Sequence, residues 1–169
     1  MSRLVVRGIV RSGTLLAALL LSLGLPSGCK TDTVGPGKGK VVWIAQSISG
    51  RTFQTTTTNS LPGVSVTFLA GLDKDTLVPL ATAVTNASGN YSILRSTQTG
   101  TPGDFWWFSV SGDGPVTVYL ALWASKTGYE PVEVRQQLTR TPSSDPPTRL
   151  LENYQLMIDA ALRPVSSGS

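Results

Sequence analysis

The sequence predicts an all-β fold, a sandwich of about seven short strands spread over residues 41–163. Three observations point there. Short runs that alternate apolar and polar residues recur between turn-forming segments, and no stretch keeps a convincing helical period. The 17 glycines and 11 prolines break the chain often, yet stay below the level of low-complexity disorder. Hydrophobic residues at 40% suffice for a core, and charged residues at 14% are too few for a coiled coil or a charged helical protein.

The first 28 residues stand apart from this pattern. Arg3, Arg7 and Arg11 precede the apolar run Leu15–Leu25, which is short for a bilayer span and suits the centre of a signal peptide. Leu25-Pro26-Ser27-Gly28-Cys29 then sets small residues before the chain's one cysteine. The arrangement resembles a bacterial lipoprotein cleavage box. That resemblance implies cleavage after Gly28 and acylation of Cys29, with palmitate or similar chains holding the protein to a membrane. Each buried methylene contributes about 0.8 kcal/mol, so two or more chains anchor stably. Lys30–Lys40, rich in glycine and lysine, reads as a tether reaching on the order of 20 Å. Lys30 stands where an aspartate would resemble an inner-membrane retention signal, so an outer-membrane location is favoured if the source is Gram-negative. The expected organisation is a signal peptide at 1–28, an acylated cysteine and linker at 29–40, the β-sandwich at 41–163 and a disordered tail at 164–169.

Within the body, Val41–Ile48 reads as the first strand and contains Trp43. Ser49–Ser60 reads as a loop whose polar Thr55–Thr58 is solvated or, less simply, a binding surface. Val64, Val66 and Phe68 share one face of the next strand, with Ser65 and Thr67 on the other. Gly71–Pro79 turns the chain. Asp73 and Asp75 in that turn lack the further oxygen ligands and the distal acid of a calcium loop, so no metal is expected. Ala81–Thr85 and Tyr91–Leu94 are expected to form a hairpin. Its loop, Asn86-Ala87-Ser88-Gly89-Asn90, suits a type I turn followed by a left-handed glycine.

Phe105-Trp106-Trp107-Phe108 cannot all face one side of a strand. Two should be buried and two should lie outward or under a loop, which makes Trp106 and Trp107 the candidate platform for a ligand or partner. Val116–Ala124 reads as a long strand with Val116, Val118, Leu120 and Leu122 inward and Tyr119 and Trp123 on the reverse. Lys126–Pro131 is a turn that folds Tyr129 back onto the sheet edge, and Val132–Leu138 is a half-exposed strand. Thr139–Arg149 is a proline-containing loop. Glu152–Leu162 closes the fold, with Tyr154, Leu156, Ile158, Ala160 and Leu162 on one face.

Thr85-Asn86-Ala87-Ser88-Gly89-Asn90-Tyr91-Ser92-Ile93 resembles the hallmark of carboxypeptidase regulatory-like domains. Pro62-Gly63-Val64-Ser65-Val66-Thr67 upstream and Lys126-Thr127-Gly128-Tyr129 downstream fit the same resemblance. It covers about Val41 to Leu162 and implies a prealbumin-like (transthyretin-like) Greek-key sandwich serving as an accessory module. Asn86 stands where that family often has aspartate, and Gly100–Pro115 is longer and more aromatic than the usual connection.

Function is bounded mostly by what is missing. The chain contains no histidine, which excludes His-based triads and His–metal sites. A lone cysteine excludes an internal disulfide. The formal charge of +4 comes largely from the leader: taking its three arginines from the 14 basic residues leaves 11 against 10 acidic ones. Nucleic acid is therefore not an expected partner. The purine-catabolic hydrolases that share the transthyretin-like fold rely on histidines, and no Ser–Lys or Asp–Asp spacing supports another hydrolase. The expectation is a non-enzymatic module without a cofactor, membrane-anchored at the cell envelope and binding carbohydrate or another envelope protein. The alternative is an assembly subunit that adds a strand to a partner.

Overall fold

A computed structural model of the chain describes residues 39–95, 105–145, 147 and 154–166. These residues form an all-β sandwich with no α-helix among them. Eleven strands are described, against the seven or so expected: β1 (Lys40–Ala45), β2 (Ser47–Gln54), β3 (Ser65–Gly71), β4 (Val78–Val84), β5 (Asn90–Leu94), β6 (Trp106–Val110), β7 (Val116–Ser125), β8 (Tyr129–Glu130), β9 (Val132–Arg140), β10 (Gln155–Met157) and β11 (Ala160–Pro164). Part of the excess arises because two expected long strands are each broken into two, and Tyr129–Glu130, expected within a turn, adds a two-residue strand.

One layer is a four-stranded antiparallel sheet in the order β4-β3-β7-β9. The other is built on β2, which pairs antiparallel with β5 on one side and parallel with β10 and β11 on the other; β8 lies beyond β11. Sequence-distant strands thus lie side by side, as Greek-key connections require. Val66 and Phe68 of β3, Val118, Leu120 and Leu122 of β7, Tyr91 and Ile93 of β5, and Ala160 and Leu162 of β11 meet in a single core. Each large side chain buried there stabilises the fold by roughly 1.5–3 kcal/mol. The period-2 reading of β3, β5 and β7 holds in the main: Ser65, Ser92 and Trp123 point away from that core, whereas Val116, expected inward, is half-buried outside it and Ala121 on the reverse face is buried.

β1 and β6 form a separate antiparallel ribbon. Val42, Ile44 and Trp106 turn one face of it into the main core, whereas Val41, Trp43 and Phe105 build a second, smaller core on the other face. β1 does not run on to Ile48. The chain bends at the buried Gln46, whose N–H donates to the Tyr154 carbonyl at 2.8 Å and whose own carbonyl accepts from Arg95 N–H at 3.0 Å.

The expected hairpin is a correction in topology. β4 pairs with β3 and β5 pairs with β2, so Thr85–Gly89 carries the chain from one sheet to the other. The physical reason is that Ala81 and Ala83 pack against the same core as Tyr91 and Ile93, but from the other sheet; an alternating strand must bury a face, and it need not pair with its nearest neighbour. The turn chemistry itself is as read. Asn86 Oδ1 accepts from Ser88 N–H at 2.9 Å and Asn90 N–H at 3.0 Å, and Gly89 has a φ of 72°.

Three further boundaries differ. Ser49–Gln54, expected as loop, continues β2: Thr52 is buried and its hydroxyl donates to the Leu61 carbonyl at 2.7 Å. The closing strand is interrupted at Ile158–Asp159 because Tyr91 Oη donates to the Ile158 carbonyl at 2.5 Å and Asp159 Oδ1 accepts from Arg51 N–H at 2.8 Å. Burial still alternates across the interruption, with Ile158, Ala160 and Leu162 inward. The tail is tied down at its start, since Pro164 is paired with Tyr129 and Val165 N–H donates to the Gly128 carbonyl at 3.0 Å.

Candidate functional site

Cys29, the leader and the tether as far as residue 38 lie outside the described residues, and Lys40, expected in the tether, is the first residue of β1. Of the sequence-predicted site residues, the structure therefore places Trp106 and Trp107. Adjacent residues on β6 point to opposite faces, and the two indoles part accordingly. Trp106 is 6% exposed and packs on Phe68, with ring centroids 5.8 Å apart. Trp107 is half-buried on the other face, 6.3 Å from Trp43. They form no shared exposed face, because the ribbon has a covered layer on each side. Phe105 joins the smaller core edge-on, 5.9 Å from Trp43 and 5.7 Å from Tyr154, the separations and tilt that aromatic quadrupoles favour. The Arg140 guanidinium lies 4.5 Å over the Tyr154 ring and closes that cluster.

The other polar candidates resolve into local structure. Asp73 Oδ1 accepts from Asp75 N–H at 2.9 Å, an Asx turn. Among the described residues, no group of three or more Cys, His, Asp or Glu could hold a metal ion. Gln54 bonds Thr56 and Thr57 across their turn. Thr85 is 4% exposed and saturated: its hydroxyl donates to the Leu61 carbonyl at 2.8 Å and accepts from Val64 N–H at 2.9 Å. Burial, and then the charge of Asp159, push the Tyr91 hydroxyl well above the ordinary tyrosine range, so it stays a donor to Ile158.

The feature that sequence reasoning passed over lies on the outer face of the four-stranded sheet. Trp123 is 43% exposed on β7, between Thr67 of β3 and Glu133 of β9. In the next row, Ser65 and Ser125 are cross-strand partners, and they line an open groove of about 400 Å³ with Gly63, Lys126, Thr127 and Pro131. The Lys126 ammonium donates to the Pro62 carbonyl and so is held at the groove. Arg135 donates to Glu133 at 2.9 Å and to the Lys74 carbonyl at 3.0 Å, which neutralises the acid beside Trp123. The signal was available: a tryptophan on the non-core face of a strand paired on both sides.

No family model matches the chain, and no curated protein matches it. Among solved structures, the chain is similar to the group B streptococcus pilus 2b backbone protein, at 13% identity and a TM-score of 0.30. The match covers 72% of this chain and 42% of that one, so the chain spans less than half of the pilus protein's length.

Proposed function

We propose that the protein is a lipoprotein whose β-sandwich is a non-catalytic binding or structural module of the carboxypeptidase regulatory-like class. Cys29 carries the lipid, the tether spaces the body from the membrane, and the outer membrane is the location if the source is Gram-negative. The observation that carries this reading is the order of Met1–Cys29: arginines, a short apolar run, small residues, then the chain's one cysteine. The class is supported by the Asn86–Asn90 turn and by the Lys126–Tyr129 turn, where Gly128 has a φ of 84° and Tyr129 N–H donates to the Lys126 carbonyl at 3.1 Å. The absence of histidine supports a binding role over hydrolysis. Fractionation of cells expressing the full chain tests the anchor. The protein should sediment with membranes and move to the soluble fraction on Cys29→Ala; an unchanged distribution contradicts the reading.

A second reading, strand addition to an envelope partner, is favoured by β4. No described strand pairs with its outer edge, it carries no charged residue, and Val78 and Val84 are 45% and 67% exposed. Such edges accept another strand unless blunted. A photo-crosslinker at Thr82 should give one discrete adduct in cells, and no adduct removes this reading.

A further inference from the structure

We propose that the outer face of the four-stranded sheet, at Trp123 and the groove beside it, is a glycan-binding site. The inference rests on the non-catalytic binding role proposed above and gives it a place and a ligand class. Trp123 is the one exposed aromatic side chain among the described residues with large exposed apolar surface. It stands on β7, which is hydrogen-bonded to β3 on one side and β9 on the other. The indole is therefore presented by a rigid strand, the pre-organised setting that binding favours. An exposed indole plane meets the C–H face of a sugar ring, which is apolar, while the ring's edge carries hydroxyls that need donors and acceptors.

The groove supplies both. The hydroxyls of Ser65, Ser125 and Thr127 can donate and accept, and the Lys126 ammonium keeps donors beyond the one given to Pro62. The groove is open, so a ligand would lie along it and not be enclosed. Charge selects among ligand classes. Glu133, the acid beside Trp123, is paired with Arg135, and a single lysine is far from the basic cluster that a phosphate backbone demands. A hydroxyl-rich saccharide chain, one ring stacked on Trp123 and the next lying over Ser65 and Ser125, matches the whole surface.

Full-length protein titrated with defined cello-, xylo- and chito-oligosaccharides and with polygalacturonate, followed by tryptophan fluorescence and calorimetry, tests the site. At least one of these should bind and shift the fluorescence. Trp123→Ala should weaken that binding at least tenfold with an unchanged circular dichroism spectrum and melting point. Ser65→Arg, which fills the groove from an exposed position, should weaken it comparably, and the exposed Met157→Ser should leave it unaltered. Binding by none of the four probes, or equal binding by wild type and both site variants, overturns the inference and leaves the anchored module standing. Trp123-dependent binding with release of new reducing ends keeps the site and overturns the non-catalytic reading instead.

Discussion

Replacing Gly50 by alanine places a methyl group where β2 meets the Ile158–Asp159 interruption. The new Cβ would lie 2.0 Å from the Ile158 carbonyl oxygen and 2.8 Å from Tyr91 Oη. Both neighbours are held: Tyr91 donates to that carbonyl at 2.5 Å, and Ile158 N–H donates to the Ser49 carbonyl at 2.9 Å. The segment must move off β2, and the Tyr91 bond is lost. A buried carbonyl left without its donor costs about 1–3 kcal/mol, and displacing a packed segment costs about 1–3 kcal/mol more. The expected loss is about 2–6 kcal/mol, a large part of a stability of about 5–15 kcal/mol. Urea denaturation of Gly50→Ala, Tyr91→Phe and the double variant measures it. Because both changes break one bond, the double variant should lose clearly less than the sum of the singles. Gly114→Ala, which meets nothing within 4 Å, should stay within about 0.5 kcal/mol of wild type. A Gly50→Ala loss under about 1 kcal/mol, or strict additivity, refutes the reasoning.

Stability should also depend on alkaline pH. Tyr91 is held neutral in the folded state by burial and by Asp159, while in the unfolded chain it ionises above about pH 10. Its contribution is therefore complete below that pH and falls by about 1.4 kcal/mol per unit above it; Tyr91→Phe should remove one proton's worth of that slope in denaturation series. Thr85→Val strands Val64 N–H, while the Leu61 carbonyl keeps the Thr52 hydroxyl, and should cost about 1–3 kcal/mol by the same assay. Trp106→Ala opens a cavity against Phe68 and should cost about 3–5 kcal/mol, whereas the exposed Trp123→Ala should cost under about 1 kcal/mol. Equal losses for the two tryptophans contradict the assignment of one to the core and the other to the surface.

Local chemistry was legible in the chain and long-range partnership was not. Asn86 and Gly89 announce their turn because side-chain oxygen and positive φ act within a few residues. The faces of β3, β5 and β7 were readable from alternation alone. Alternation says which face is buried and nothing about which strand lies alongside, so β4 and β5 looked like a hairpin. Ser49-Gly50-Arg51 carries no apolar signal; it is strand because β5, β10 and β11 surround it, and Gly50 is needed there for close approach. Trp106 and Trp107 were read together as one platform, although neighbours on a strand point to opposite faces. Covering them takes Phe68 on the Trp106 side and Trp43 on the Trp107 side, both far away in sequence. The exposed Trp123 was assigned to the reverse face of its strand, but four consecutive aromatics drew the attention it merited.

In the proposed arrangement one sulfur near the front of the chain holds this sandwich to a membrane. Metabolic labelling with an alkyne-tagged palmitate, read by mass spectrometry of the peptide that begins at residue 29, tests it most directly. The label should appear on Cys29 as the new N-terminus and vanish in Cys29→Ala. An unlabelled protein, or one still labelled after that substitution, contradicts the account.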